Sequence, residues 1–282
     1  MWRLLRDLYR YNKRFKISVI IILCVFAYML LSLISPYDPR TNYVVPINLP
    51  PSIQHPFGTT SKGQDIFWLL PFALRNSFII SLAVVIITRI IALFIGTIAG
   101  YRGGIIDNIL MTVDDSFIIL PILPILILLK LILGQISFQS LILILSLFGW
   151  ACDARLVRSI VLSLREREFS YTSFFSGRSI LEIILKEYLP YIYPILLATG
   201  INNMIWSLGM ETTISTLGLT SIDTPTIGTM VFWALQHQAF VSGIWWWLIF
   251  PIIFVVLLFL SLYYISVTIS EAIDPRLKVI GG

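Results

Sequence analysis

Six long apolar stretches dominate this sequence, and a water-soluble fold has no place to bury that many. A helix needs about 20 residues to cross a hydrocarbon core roughly 30 Å thick. Stretches of that length run over residues 17–35, 76–100, 106–133, 138–164, 189–219 and 243–269. The second contains Arg89 and the third Asp114 and Asp115, yet the apolar runs around them are long enough to span. Composition agrees, with 57% hydrophobic and 12% charged residues, whereas a soluble domain covers itself with about a quarter charged residues. A closed β-barrel alternates apolar and polar residues, which the continuous run Ile118-Ile-Leu-Pro-Ile-Leu-Pro-Ile-Leu-Ile-Leu-Leu129 excludes. The expectation is an all-α membrane protein of six transmembrane helices, multi-pass in the cell (plasma or inner) membrane.

Orientation follows from the positive residues, because cytoplasmic loops hold the excess of Lys and Arg. Arg3, Arg6, Arg10, Lys13, Arg14 and Lys16 precede the first span, and Arg165, Arg167, Arg178 and Lys186 lie between the fourth and fifth, with Arg155 and Arg158 just inside the helix end. The connection between the fifth and sixth spans has neither Lys nor Arg. Both termini are therefore predicted to be cytoplasmic. The chain divides into a basic amphipathic segment at 1–16, a first transmembrane helix at 17–35 and an extracytoplasmic loop at 36–75. A five-helix core at 76–269 follows, with a cytoplasmic segment at 165–190 inside it, and then a tail at 270–282. No small-x-small cleavage site follows the first span, so it reads as a retained anchor and not a signal peptide. The net charge of +5 reads as inside-loop charge with attraction to anionic membrane lipid, not as nucleic-acid binding. Cys24 and Cys152 fall in different spans and are expected to be small core residues, since two cysteines so placed make no disulfide framework.

Chemical motifs are few. There is no G-x-x-x-x-G-K-[ST] phosphate loop, so the chain is not expected to hydrolyse ATP. His55 and His237 are the only histidines, both in predicted outer loops, which leaves little basis for a metal site or a catalytic triad. What stands out is the segment at 165–190. It reads as two short cytoplasmic helices punctuated at Gly177 and stopped at Pro190. Charge at Arg165, Glu166, Arg167 and Glu168 would keep its first part wet, while Phe169, Tyr171, Phe174 and Phe175 supply an aromatic face. Such a face fits either a partner groove or packing on the helix bundle.

This segment resembles the loop that marks ABC importer permeases, E-A-A-x-x-x-G followed by I-x-L-P. Gly177, Leu189 and Pro190 fall in register, while Tyr171, Thr172 and Ser173 occupy the E-A-A positions. Further stretches resemble the C-type permease of oligopeptide and dipeptide importers. These are His55-Pro-Phe-Gly-Thr59 with Gly63 and Asp65; Asp107 with Asp115-x5-Pro121; Glu211-x3-Ser215-x-Leu-Gly-Leu219 with Pro225-x-x-Gly228; and the closing elements Trp246-Trp-Leu-Ile-Phe-Pro251 and Ala272-Ile-Asp-Pro-Arg-Leu277.

The resemblance implies a type I ABC importer transmembrane fold and a division of labour. A second, related permease would complete the pathway as a heterodimer. Two ATPase subunits would dock from the cytoplasm, and an extracytoplasmic substrate-binding protein would deliver cargo. ATP and Mg would sit on the ATPases, and no cofactor, metal or catalytic residue is expected on this chain. Phe169, Tyr171, Thr172, Ser173, Phe174, Gly177, Arg178 and Pro190 would form the ATPase-coupling loop. Peptides are the family's commonest cargo, with oligosaccharides and nickel complexes as alternatives. A self-sufficient secondary carrier would show inverted repeats, of which none is convincing within six spans.

Charged and polar residues inside the spans are the pathway or gate candidates. Arg89 would lie about 20 Å down its span from the outside, a depth at which a lone charge costs on the order of 3 kcal/mol. Asp114 and Asp115 lie at comparable depth on the third span, so Arg89 is expected to pair with one of them, either as a tie between helices or as a gate element. Asn203, Ser207 and Glu211 recur every four residues and form one stripe of the fifth span, which lines a wet path or cements helix contacts. Trp245, Trp246 and Trp247 read as an interfacial belt.

Overall fold

A computed structural model describes residues 2–38, 40–167, 176, 178–179 and 182–273. Among the described residues the chain is helical, and its only β-type pairings are two isolated bridges, Thr59 with Asp65 and Ile136 with Thr220. A short helix α1 (Trp2–Tyr11) leads into α2 (Lys13–Leu30), which Asn12 caps by accepting the Phe15 amide at 3.1 Å. A 3₁₀ turn (Leu31–Leu33) ends that element. Next come α3 (Ile66–Arg102), α4 (Gly104–Ile119), α5 (Ile122–Leu133), α6 (Phe138–Gly149) and α7 (Ala151–Arg165). A π-helical turn (Ile183–Tyr188) runs into α8 (Leu189–Thr216), and α9 (Ile227–Gln236) and α10 (Trp246–Ile273) complete the chain.

Three helices are by themselves long and apolar enough to cross a membrane, over Lys13–Leu33, Ile66–Arg102 and Trp246–Ala272. The third and fourth expected spans are each broken. Helices α4 and α5 meet at 80°, and α6 and α7 at 42°; counting each bent pair as one span gives five. The fifth expected span exists as the 28-residue α8, whose stripe of polar residues dilutes its apolar character.

Two boundaries differ from expectation. The second span begins ten residues earlier than 76, because Asp65 caps α3 by accepting the Phe67 amide at 2.9 Å and Pro71 is accommodated early in the helix. Pro190, expected to stop a helix, instead lies in the first turn of α8. There the preceding π turn sends the Leu189 amide back five residues to the Ile184 carbonyl, so the chain passes the proline unbroken.

Helix α3 is the hub, packed against α4, α6, α7 and α8, while α2 and α10 lie side by side on its other flank. The 37 residues of α3 extend about 55 Å, so it stands well clear of a hydrocarbon core roughly 30 Å thick. Its closest approach is to α7. A Cβ on Gly96 would stand 2.4 Å from the Ala154 carbonyl oxygen, and one on Gly100 would stand 2.8 Å from that of Arg158. Two glycines four apart therefore let the backbones of α3 and α7 touch, the packing device of helices that lack a hydrophobic driving force in lipid.

The loop before α3 folds into a plug on the bundle. Phe57 stacks on Phe250 of α10 with ring centroids 4.2 Å apart, His55 Nδ1 lies 2.7 Å from the Asp65 carboxylate, and Trp246 donates from Nε1 to the Thr59 carbonyl at 3.1 Å. Both histidines are thus placed in loops, His55 on Asp65 and His237 between the rings of Trp233 and Trp247. The tryptophan belt is only partly one. Trp246 and Trp247 are buried beneath the plug, and Trp245 alone is exposed, because consecutive helical residues point in different directions. Trp246→Phe removes the plug's hydrogen bond and should cost about 1 kcal/mol, read as a melting temperature lower by roughly 2–4 °C for the detergent-solubilised protein.

The cysteines also depart from expectation. Cys24 and Cys152 are both exposed on the surface of the bundle and not in its core.

Candidate functional site

Two clusters of polar side chains in the spans lie along α8. The first borders a cavity of about 620 Å³ at the two helix breaks, lined by residues at the end of α4, the start of α5, the junction of α6 and α7, and one face of α8. Behind it stands an ion pair. Arg89 Nη1 on α3 lies 2.6 Å from Asp153 Oδ1 in the first turn of α7 and donates to Thr199 Oγ1 of α8 at 2.9 Å. Asn203 Nδ2 donates to the other carboxylate oxygen of Asp153 at 3.0 Å and to the Gly149 carbonyl at 2.9 Å. One aspartate therefore ties three helices together at the bend between α6 and α7.

This arrangement corrects the expected pairing of Arg89. Asp114 and Asp115 are engaged elsewhere, both by Arg155 of α7, with Asp114 Oδ2 at 2.8 Å from Arg155 Nη2. Arg158 forms a two-toothed pair with Asp107 near the start of α4. The bend at Trp150 turns α7 so that Asp153 faces α3 while Arg155 and Arg158 face α4. The longer α3 also relocates Arg89, which lies 13 residues before Arg102 and so about 20 Å from that end of the helix. Sequence reasoning missed Asp153, Arg155 and Arg158 as partners, having read the arginines only as orienting charge. The sequence Asp153-Ala-Arg155-Leu-Val-Arg158 held the signal, since three charges on less than two turns at membrane depth require partners on neighbouring helices. The Gly96-x-x-x-Gly100 spacing was a second overlooked cue.

The second polar cluster lies toward the far end of α8. The expected stripe of Asn203, Ser207 and Glu211 splits there, with Asn203 bordering the cavity and Ser207 and Glu211 fully buried. Glu211 Oε1 accepts from Ser215 Oγ at 2.9 Å, and Thr220 donates to the same serine at 3.0 Å. Gly228 of α9 presses on this group, since a Cβ there would be 2.5 Å from Ser215 Cβ. Helix α9 is held by its own capping box, Thr226 with Thr229, and by two bonds to α3: Asn76 to the Pro225 carbonyl at 2.7 Å and the Ile227 amide to Ser77 Oγ at 3.1 Å.

Of the expected coupling residues, Phe169, Tyr171, Thr172, Ser173, Phe174 and Gly177 lie outside the described residues. Arg178 pairs with Glu187 at 2.6 Å, and Arg165 at the end of α7 donates to the Tyr101 carbonyl at the end of α3, at 3.0 Å. Between them, the backbone amide of Ser179 donates to Glu182 and holds that carboxyl below its ordinary range, with Lys186 acting in the same direction.

A bundle of helices long and apolar enough to cross a membrane, with two bent pairs that meet at a largely apolar cavity, defines a multi-pass membrane protein. The chain belongs to the binding-protein-dependent transport system inner membrane components, whose family model matches residues 92–279, and it is a permease subunit of an ABC importer. It is 30% identical to the oligopeptide transport system permease protein OppC of Lactococcus lactis subsp. cremoris, over 94% of this chain and 91% of that protein. The dipeptide transport system permease protein DppC of Bacillus subtilis is likewise 30% identical, over 98% of this chain and 85% of that protein. Its fold is similar to a chain of the MetNI methionine ABC transporter solved in inward-facing conformations, with a TM-score of 0.57 at 17% identity, covering 74% of this chain and 98% of that one.

Proposed function

We propose that this chain is one of two permease subunits of an ATP-driven peptide importer and forms half of the passage through the membrane. The observation that carries the cargo class is the likeness to oligopeptide and dipeptide permeases over nearly the entire chain. In this reading six spans cross the membrane, α8 being the fifth, and both termini are cytoplasmic. A second permease closes the open side of the cavity, a binding protein presents peptide outside, and two ATPases hold ATP and Mg inside. Arg89, Asp153 and Asn203 frame the passage, while Asp114 and Asp115 fasten its moving wall.

Force would enter through the segment at 165–190. Helix α7 leads from that segment directly to the cavity, and it is clamped to α4 by Arg155 and Arg158 and to α3 by Gly96 and Gly100. A push on the segment would therefore move α3, α4 and α7 together, a rigid-body switch between inward and outward states. Reconstitution with the second permease, the ATPases and the binding protein tests this reading by uptake of labelled peptide, with oligosaccharide and nickel complexes as competing cargoes. Replacing residues 171–177 by a Gly-Ser linker should abolish uptake and release the ATPases from the complex on gel filtration. Uptake that survived the replacement would sink the coupling role, and uptake of an oligosaccharide without peptide would sink the cargo.

A further inference from the structure

We infer that the cavity at the two helix breaks is a subsite for cargo in transit, one that seats an apolar or aromatic side chain of a peptide and hydrogen-bonds the adjoining backbone amide; this rests on the peptide-permease reading. Non-helical backbone at membrane depth is tolerated only where it is buried or lines a cavity, and transporters place their cargo sites at such interruptions. Here two interruptions meet at one cavity. Ile122 opens α5 and Ala151, Cys152 and Asp153 open α7, all of them lining it, and neither helix start has a side-chain cap. The first-turn N–H groups, those of Ile122 and Leu123 on α5 and of Ala151, Cys152 and Asp153 on α7, are therefore donors without intrahelical partners.

The wall is aromatic, with Phe117 and Phe148 edge-to-face at 5.8 Å and Trp206 opposite on α8. Its polar set is neutral. Among the described residues Asp153 is the one charged residue in the lining, and both its oxygens are engaged, by Arg89 and by Asn203. A charged cargo side chain would lose its hydration here without meeting a free counter-charge. Asn202, exposed on the cavity wall, offers a donor to a peptide carbonyl. Asn202 Oδ1 accepts from Ser266 at 2.7 Å, which leaves its Nδ2 as donor. The Asn203 Nδ2 is used by Gly149 and Asp153, and its Oδ1 is buried without a protein partner, so Asn203 braces the wall behind Asn202. An apolar wall with a few convergent amide groups is the composition of a small-ligand site.

Cys152 lines the cavity and is exposed, and Cys24 is the only other cysteine in the chain, so Cys24→Ser leaves one reporter thiol. The reconstituted importer, with its other subunits free of cysteine, would be labelled with a methanethiosulfonate reagent during ATP turnover. Two tripeptides that saturate the binding protein equally would be compared, one with a central phenylalanine and one with a central aspartate. The phenylalanine peptide should slow labelling of Cys152 by at least about fivefold, with the aspartate peptide leaving it within about twofold. Phe148→Ala should reduce the transport preference for the phenylalanine peptide by a similar factor. Labelling unaffected by either peptide while transport proceeds, or Phe148→Ala slowing both peptides equally, would overturn the subsite and leave the permease reading standing. If the intact importer transported no peptide at all, that reading would fall and the subsite with it.

Discussion

Gly96→Leu is expected to leave almost no correctly assembled permease in the membrane. The new side chain would start 2.4 Å from the Ala154 carbonyl and 2.7 Å from Val157 Cβ, both on α7. Backbone cannot swing aside as a flexible side chain can, so α3 and α7 must separate. Overpacking in a core costs about 1–3 kcal/mol even where neighbours can adjust, and here the upper end or more is expected. The separation would also draw Arg89 away from Asp153 and pull apart the ends joined by Arg165 and Tyr101. Gly100→Val should behave similarly, against the Arg158 carbonyl at 2.8 Å. Gly209→Ala is the control, since its Cβ would meet only Phe259 at an ordinary 3.8 Å. Fluorescence-detected gel filtration of the tagged chain reads the outcome. A monodisperse Gly96→Leu peak of wild-type height would show that α3 and α7 are not in backbone contact.

Asp153→Ala should be the most damaging single loss of charge. It leaves the Arg89 guanidinium, 14% exposed, with Thr199 as its remaining hydrogen-bond partner, and it frees Asn203 from one of its two anchors. Breaking one half of a buried pair costs about 3–5 kcal/mol, whereas replacing both halves with apolar residues is often close to neutral. The expected order of thermal stability is therefore wild type, then Arg89→Leu with Asp153→Leu together, then Asp153→Ala alone. Transport should fall in all of them, because the aspartate also fixes the bend at which the cavity opens. Equal stability of the single and double variants would mean that Arg89 finds another counter-charge and that Asp153 is not its partner.

Much of this molecule was legible in its sequence because membrane helices obey a length rule. The six apolar runs fall on helices, two of them on bent pairs, with the largest offset at the start of α3. That start was obscured by Pro71 and Arg75, which read as loop residues; Arg75 is in fact satisfied by Ser32 Oγ at 3.0 Å from the neighbouring 3₁₀ turn. The breaks were harder to see. Pro121 and Gly149-Trp150 mark them in the sequence, yet hydropathy is blind to direction and scores two half-helices at 80° like one straight span.

The site was legible as a set of residues but not as a set of partners. Arg89 stood out because a charge at that depth must be neutralised, a one-body statement that any sequence supports. Which acid neutralises it depends on how α7 is rotated about its axis after the bend, and rotation is set by Gly96 and Gly100 admitting the α7 backbone. For the same reason the polar stripe of α8 was visible by its period of four, while its division between a cavity wall at Asn203 and a packed interior at Ser207 and Glu211 was not.

The sequence by itself determined that this chain lives in a membrane, that it is helical, and which residues had to find polar company, since each of those follows from the energy of one residue or one segment in lipid. Only the tertiary structure decided the pairings of Arg89, Asp114 and Asp115, the bends that open the cavity, and the burial of Trp246 and Trp247. Those depend on distances between helices, and in lipid such distances are set by shape and close packing, which no count of apolar residues records.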